Sequence, residues 1–209
     1  MRRTILLAGA LALAAPAPAH ACLNGVELEV EENASSAARS ERLVRSGHLR
    51  RAFRLAGHAL HELRNARSRR ARNLRWRLKR VLAVATVRLD GQVDRRRWRT
   101  PRRVPAGRRT ENLRWALAVL QRMARSSDDP VVRARHAEAL VQLGRHRRAV
   151  RILQPLAEND LMPDAYGYAA LARAQHALGD DEETDRALEA CRAIVSRQRR
   201  AICPSLDRS

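Results

Sequence analysis

Lysine is almost missing from this chain: Lys79 is the sole example among 42 basic residues. Arginine stands in for it in every segment. That points to codon usage rich in G and C, more than to selection for the bidentate guanidinium fork. Acids are missing more selectively. From Arg64 to Arg109 there are 18 basic residues and 2 acids, which gives +16 of the formal +20. Codon usage does not account for that loss, so the segment is a candidate surface for anionic polymers or membranes. Catalytic signatures are missing too. No His-Glu-x-x-His, Gly-x-Ser-x-Gly or phosphate loop occurs. Neither an enzyme, a cofactor nor a small-molecule substrate is expected. His58, His61 and Glu62 lie one turn apart, but two histidines without further ligands are an ordinary surface pattern, and no metal is assigned.

Long apolar runs are also lacking. Ile5 to Ala15 is uncharged and rich in Leu and Ala, yet shorter than the roughly 20 residues that cross a bilayer as a helix. It follows Met1-Arg2-Arg3 and precedes Ala19-His20-Ala21, the three parts of a secretory signal peptide. Residues 1–21 are read as that signal, which places the mature chain in the periplasm or cell envelope. Cleavage would leave Cys22 first. A lipidated Cys usually follows Leu three positions before and a small residue after it; here those places hold Ala19 and His20. Ordinary cleavage is therefore favoured over lipoprotein anchoring.

Cysteine is scarce and odd in number: Cys22, Cys191 and Cys203. Export permits disulfides. Cys191 and Cys203 form a candidate pair, but a continuous helix between them would span about 18 Å. Pairing requires the chain to turn back near Arg199. The alternative is that Cys191 is a small buried helix residue without a partner.

What is present in abundance is helical periodicity. Leu23 to Asn33, with Val26, Leu28 and Val30 alternating, reads as an extended leader over residues 22–32. Ala34 to Ser46 and Leu49 to Leu60 read as amphipathic helices. The apolar run Val81 to Val87 is ambiguous on propensity, since β-branched residues favour strands. Gln92 to Arg109 reads as a loop punctuated by Pro101, Pro105 and Gly107. Glu111 to Arg125 reads as a helix, and Asp128-Asp129-Pro130 as a helix start.

Two segments repeat a pattern. Ala137, Gly144, Ala149 and Leu153 recur 35 residues later as Ala172, Gly179, Thr184 and Leu188. On these residues the chain resembles the tetratricopeptide repeat family, whose two-helix units are about 34 residues long. Ser40, Gly47 and Ala52 carry a weaker copy. Leu82, Ala83 and Leu89, then Ala116, Leu120 and Met123, carry a broken one. Arg133 and His136 depart from the pattern, standing where apolar residues are usual. The resemblance implies an all-α fold, an α-solenoid of about four helix–turn–helix units. Repeat 1 would be 33–66, and repeat 2 would be 67–129 with a basic insertion at 92–109. Repeat 3 would be 130–164 and repeat 4 165–198, followed by a tail at 199–209. It also decides for helix at Val81 to Val87.

Such folds bind partner proteins or peptides on a concave face lined by first helices. By position, Glu138, Val141 and Gln142 in repeat 3 and Tyr166, Arg173 and His176 in repeat 4 fall there. The resemblance therefore implies a non-catalytic protein–protein adaptor. The rival reading is a binder of lipid headgroups, lipopolysaccharide or DNA through the arginine-rich segment. Its candidate contacts are Arg95, Arg96, Arg97, Trp98, Arg99, Arg102 and Arg103, since an aromatic among arginines can stack a ring while they take phosphates. Trp115 is read as core, and Trp98 as exposed.

Overall fold

A computed structural model describes residues 21–195 and 201–206, with side chains described from residue 31. The expected signal segment at 1–20 lies outside the described residues. Among them the chain forms eight α-helices and no extended strand. These are α1 (Ala21–Arg45), α2 (Leu49–Glu62), α3 (Arg69–Arg88), α4 (Ala106–Arg125), α5 (Pro130–Gln142), α6 (His146–Glu158), α7 (Ala165–His176) and α8 (Asp181–Ile194). The fold is all-α and repeat-like. Each odd-numbered helix packs against the even one that follows, and α1, α3, α5 and α7 also pack side by side as a layer.

Local chemistry sets the boundaries. Gly47, Gly91, Gly144 and Gly179 follow the four odd helices, each with φ between +70° and +79°. At the third of these turns, Arg145 N–H donates to Leu140 O at 2.9 Å and Gly144 N–H to Val141 O at 2.9 Å. This closes the last turn in the Schellman manner, which glycine allows without a Cβ clash. Starts are capped by side-chain oxygens. Ser68 accepts from Ala71 N–H at 3.1 Å, and Asp129 from Val131 N–H at 2.9 Å beside Pro130 in the first turn.

Two stretches differ from the sequence reading. Residues 22–32, read as extended, are helical and form the start of α1. The alternation there spans only three apolar residues, and the intervening glutamates are good helix formers. The insertion is also shorter than the 92–109 loop. Pro105 sits at the N-cap of α4 and Gly107 within its first turn, where a missing N–H costs nothing.

The core falls into two adjoining clusters. One joins Ala37, Ala52, Phe53, Ala56 and Leu63 to Leu78, Val81, Leu82 and Ala85. The other joins Ala83, Val84 and Val87 to Leu120, Leu140, Leu153, Leu171 and Leu188. The Val81–Val87 run is thus buried on both sides, and burial all round overrides its β-branched preference. At the far end, Cys191 and Cys203 are joined as a disulfide, with Cα atoms 5.9 Å apart. Ile202 and Cys203 thereby pack beside Ala165 and Ala169 of α7. Among the described residues no helix is long and apolar enough to cross a membrane.

Candidate partner-binding site

The layer of odd helices carries charges where a core would be expected. Arg88 lies at the last residue of α3, and its side chain is 3% exposed. Its Nε donates to Glu138 Oε2 at 2.9 Å and its Nη2 to Glu138 Oε1 at 3.1 Å. Glu138, on α5, is also paired with Arg135 one turn before it. Arg135 forks onto Asp164, with Nη2 to Oδ2 at 2.6 Å and Nη1 to Oδ1 at 2.9 Å. Asp164 takes a further contact from Arg88 at 3.3 Å and caps α7 by accepting from Tyr166 N–H at 3.1 Å. One capping carboxylate thus ties together α3, α5 and α7.

The electrostatics follow from this wiring. Burial pushes the Glu138 carboxyl up, but Arg88 and Arg135 outweigh it and hold it below the usual carboxylate range. Asp164 is treated the same way: burial raises it, and the bonds from Arg135 and Arg88 lower it further than burial raises it. For Arg135, burial disfavours the charge, yet Glu138 and Asp164 prevail and its pKa is raised. Both acids are therefore ionised at neutral pH.

Beside the cluster lies a cavity of about 390 Å³. Val87, Arg88 and Asp90 form one wall; Glu138, Val141 and Gln142 form the next; Tyr166, Ala170 and Arg173 close it from α7. The Arg88 guanidinium stacks over the Tyr166 ring, 3.6 Å from its centroid. Arg173 is half-buried. Burial lowers its pKa, with only the attraction of Glu138 acting the other way.

Of the residues assigned to the inner face from sequence, Glu138, Val141, Gln142, Tyr166 and Arg173 meet around this cavity. His176, a half-buried residue at the end of α7, is not among its walls. Glu138 differs from expectation: it is 5% exposed, a member of the ion cluster rather than an open surface contact. Arg88, Arg135 and Asp164 escape the sequence reading altogether. Their partners are 29 to 76 residues away, and only the i,i+3 spacing of Arg135 and Glu138 is a local sign.

The insertion is wired differently. Trp98, expected outside, turns inward and rests 6.1 Å from the Phe53 ring. Gly57 makes room for it, since a Cβ there would lie 2.4 Å from Trp98 Cδ2. The reason is burial of a large apolar ring against a bare stretch of α2. Arg95 is also structural: its Nε donates to Asn112 Oδ1 at 2.9 Å, and it stacks over Trp115, 4.8 Å from the centroid. Asn112 in turn donates to the carbonyls of Gly91 and Val93 at 3.0 and 2.8 Å. Trp115 is half-buried and packs against both core clusters. Arg96, Arg97, Arg99, Arg102 and Arg103 remain exposed. Elsewhere in the basic segment several arginines are consumed internally. Arg77 and Arg80 pair with Glu41, Arg70 with Glu31, and Arg109 with Asp90. Arg75 donates to the Leu63 and Ala66 carbonyls at 2.8 and 2.5 Å.

His58, His61 and Glu62 are exposed on α2. Among the described residues no group of three or more potential ligands is arranged to hold a metal ion. No family model, curated protein or solved structure matches this chain.

Proposed function

We propose that this chain is an exported protein of tetratricopeptide-like architecture that serves as a non-catalytic adaptor in the cell envelope. Its binding surface is the layer of α3, α5 and α7, where an extended segment of a partner protein docks. The observation that carries the reading is the meeting of Glu138, Gln142, Tyr166 and Arg173 around one cavity on that layer. The glycine turn closing every odd helix supports the repeat architecture. The signal-like start and the bonded Cys191–Cys203 pair support export, since oxidising compartments retain disulfides.

Photo-crosslinking in living cells tests this. A crosslinking residue at Gln142 should trap a discrete partner, while one at exposed Arg151 on α6 should not. Equal adducts from both positions, or none from Gln142, would sink the proposal.

A second reading is favoured by one observation: Arg96, Arg97, Arg99, Arg102 and Arg103 lie exposed together on the insertion. It makes the insertion a contact for anionic membranes. Reversing Arg102 and Arg103 to Glu should weaken binding to vesicles containing anionic lipid, and the effect should fade as salt rises. Unchanged vesicle binding would remove this reading.

A further inference from the structure

We propose that the cavity where the insertion meets α2, α3 and α4 seats the phosphomonoester headgroup of a membrane lipid, held by Lys79, Arg96 and Arg108. This rests on the membrane-contact reading of the insertion above, and it names the lipid chemistry and the residues that select it.

The cavity measures about 500 Å³. Leu60 reaches it from α2 and Lys79 from α3; Trp98 and the turn before it form one side, and Arg108 and Trp115 of α4 the other. Bonds within the chain fix this frame. Asp94 and Arg99 exchange backbone bonds at 2.7 and 3.1 Å, and Asp94 Oδ1 accepts from Arg96 N–H at 3.0 Å. The turn that carries Arg96 is therefore closed on itself, and little order has to be created when a ligand arrives. Arg95 is already committed to Asn112, to Glu111 at 3.3 Å and to the Trp115 ring. Lys79, Arg96 and Arg108 are exposed, and among the described residues no acceptor pairs with their side chains. Lys79 only rests over the Trp76 ring, 5.6 Å from its centroid. Three separate segments thus each bring an unmatched cation to one cavity. Glu111 is answered by Arg95, and Asp94 offsets one of the three, so two positive charges remain in excess.

That excess selects the anion. A phosphomonoester carries close to two negative charges at neutral pH and three strong acceptor oxygens. A carboxylate or a phosphodiester carries one charge and leaves a cation unanswered. A nucleic acid backbone offers only phosphodiesters and fails on the same ground. The neighbours select the source. Arg97, Arg99, Arg102 and Arg103 stand exposed on the same insertion, more cations than one soluble phosphate uses. An anionic bilayer supplies further groups for them around the seated headgroup. Trp98 and Trp115, half-buried on the cavity wall, present indoles of the kind that settle at headgroup level, with Leu60 beside them.

The test is co-sedimentation of the full chain with phosphatidylcholine vesicles doped with phosphatidic acid, a phosphomonoester, or with phosphatidylglycerol, a phosphodiester. The two kinds are matched in zeta potential, so that the general attraction of the surface is equal. The phosphatidic acid vesicles should bind about tenfold more tightly. Lys79→Gln with Arg108→Gln should erase that preference and keep the phosphatidylglycerol binding. Arg96→Gln, a single change on a different segment, should reduce it on its own, with far-UV spectra checking both folds. Glycerol 3-phosphate, the same phosphomonoester without a bilayer, should bind at least tenfold more weakly than phosphatidic acid at equal phosphate. Equal binding to the two charge-matched vesicles overturns the proposal and leaves the membrane-contact reading intact. Preference retained in either folded variant overturns it too, and glycerol 3-phosphate binding as tightly as phosphatidic acid overturns the lipid as its source. No binding to either anionic vesicle overturns both the proposal and the reading beneath it.

Discussion

The insertion and the layer of odd helices both use arginine, in opposite ways. On the insertion, Arg96, Arg97, Arg99, Arg102 and Arg103 stand in solvent, where each charge is screened within about 10 Å at moderate salt. On the layer, Arg88 and Arg135 are almost wholly buried. Charge density along the sequence peaks in the first region. Electrostatic leverage per charge peaks in the second, because removal from water amplifies both the gain of a good contact and the cost of a bad one. The Arg-rich segment thus draws the eye in the sequence, while the cavity beside the ion cluster carries the stronger case for recognition.

The comparison is most sharply broken at Glu138. Replacing it with Gln leaves Arg88 and Arg135 facing each other with one carboxylate between them. A loss of about 3 kcal/mol is expected, as for other broken buried pairs, measured by urea unfolding. A loss below about 1 kcal/mol would mean that the cluster is as weakly coupled as a surface one. Acid should have a related effect. Glu138 and Asp164 are held below their ordinary pKa values, so the unfolded chain binds protons first. Their contribution is fully present above the usual carboxylate range and is lost as pH falls through their folded values. In Glu138→Gln this acid decline should be shallower than in the wild type.

A smaller effect is expected at Trp98, where the insertion meets α2. Trp98→Ala removes a half-buried ring from Phe53 and Gly57. About 2 kcal/mol of stability should go, less than for a fully buried tryptophan. A change within about 0.5 kcal/mol would show that the insertion is only draped over the fold.

The smallest effect belongs to His136 on α5. Burial, then the charges of Arg148 and Arg125, lower its pKa below the ordinary histidine value of about 6.5. The folded chain therefore prefers the neutral ring. Its contribution is present above pH 6.5 and is lost as pH falls through the folded value, a decline that starts before the carboxylates protonate. His136→Gln should flatten that shallow first step in a stability profile and leave the later one. A profile with the same first step in the variant would assign it elsewhere.

The all-helical fold is legible in the sequence because helical periodicity and glycine turns are local signals. The Val81–Val87 run shows the limit: propensity alone points to a strand, and only burial on two sides explains the helix. The start of α1 shows it again, since three alternating apolar residues imitate a strand. At the site, register brings Glu138, Gln142, Tyr166 and Arg173 to one face. It is silent about Arg88 and Asp164, whose meeting depends on two helix packings. Trp98 is misread for a related reason: its position among arginines suggests solvent, while the pocket for its ring is supplied by Gly57, far away in sequence.

The burial of α3 on two sides has a mechanical meaning. Val81, Leu82 and Ala85 belong to one cluster, Ala83, Val84 and Val87 to the other. A stack of repeats ordinarily melts from its ends, each unit depending only on its neighbours. Here neither half can come apart without stripping one side of the same helix. The helix that contributes to both clusters is thus expected to couple the unfolding of the front and back of the molecule.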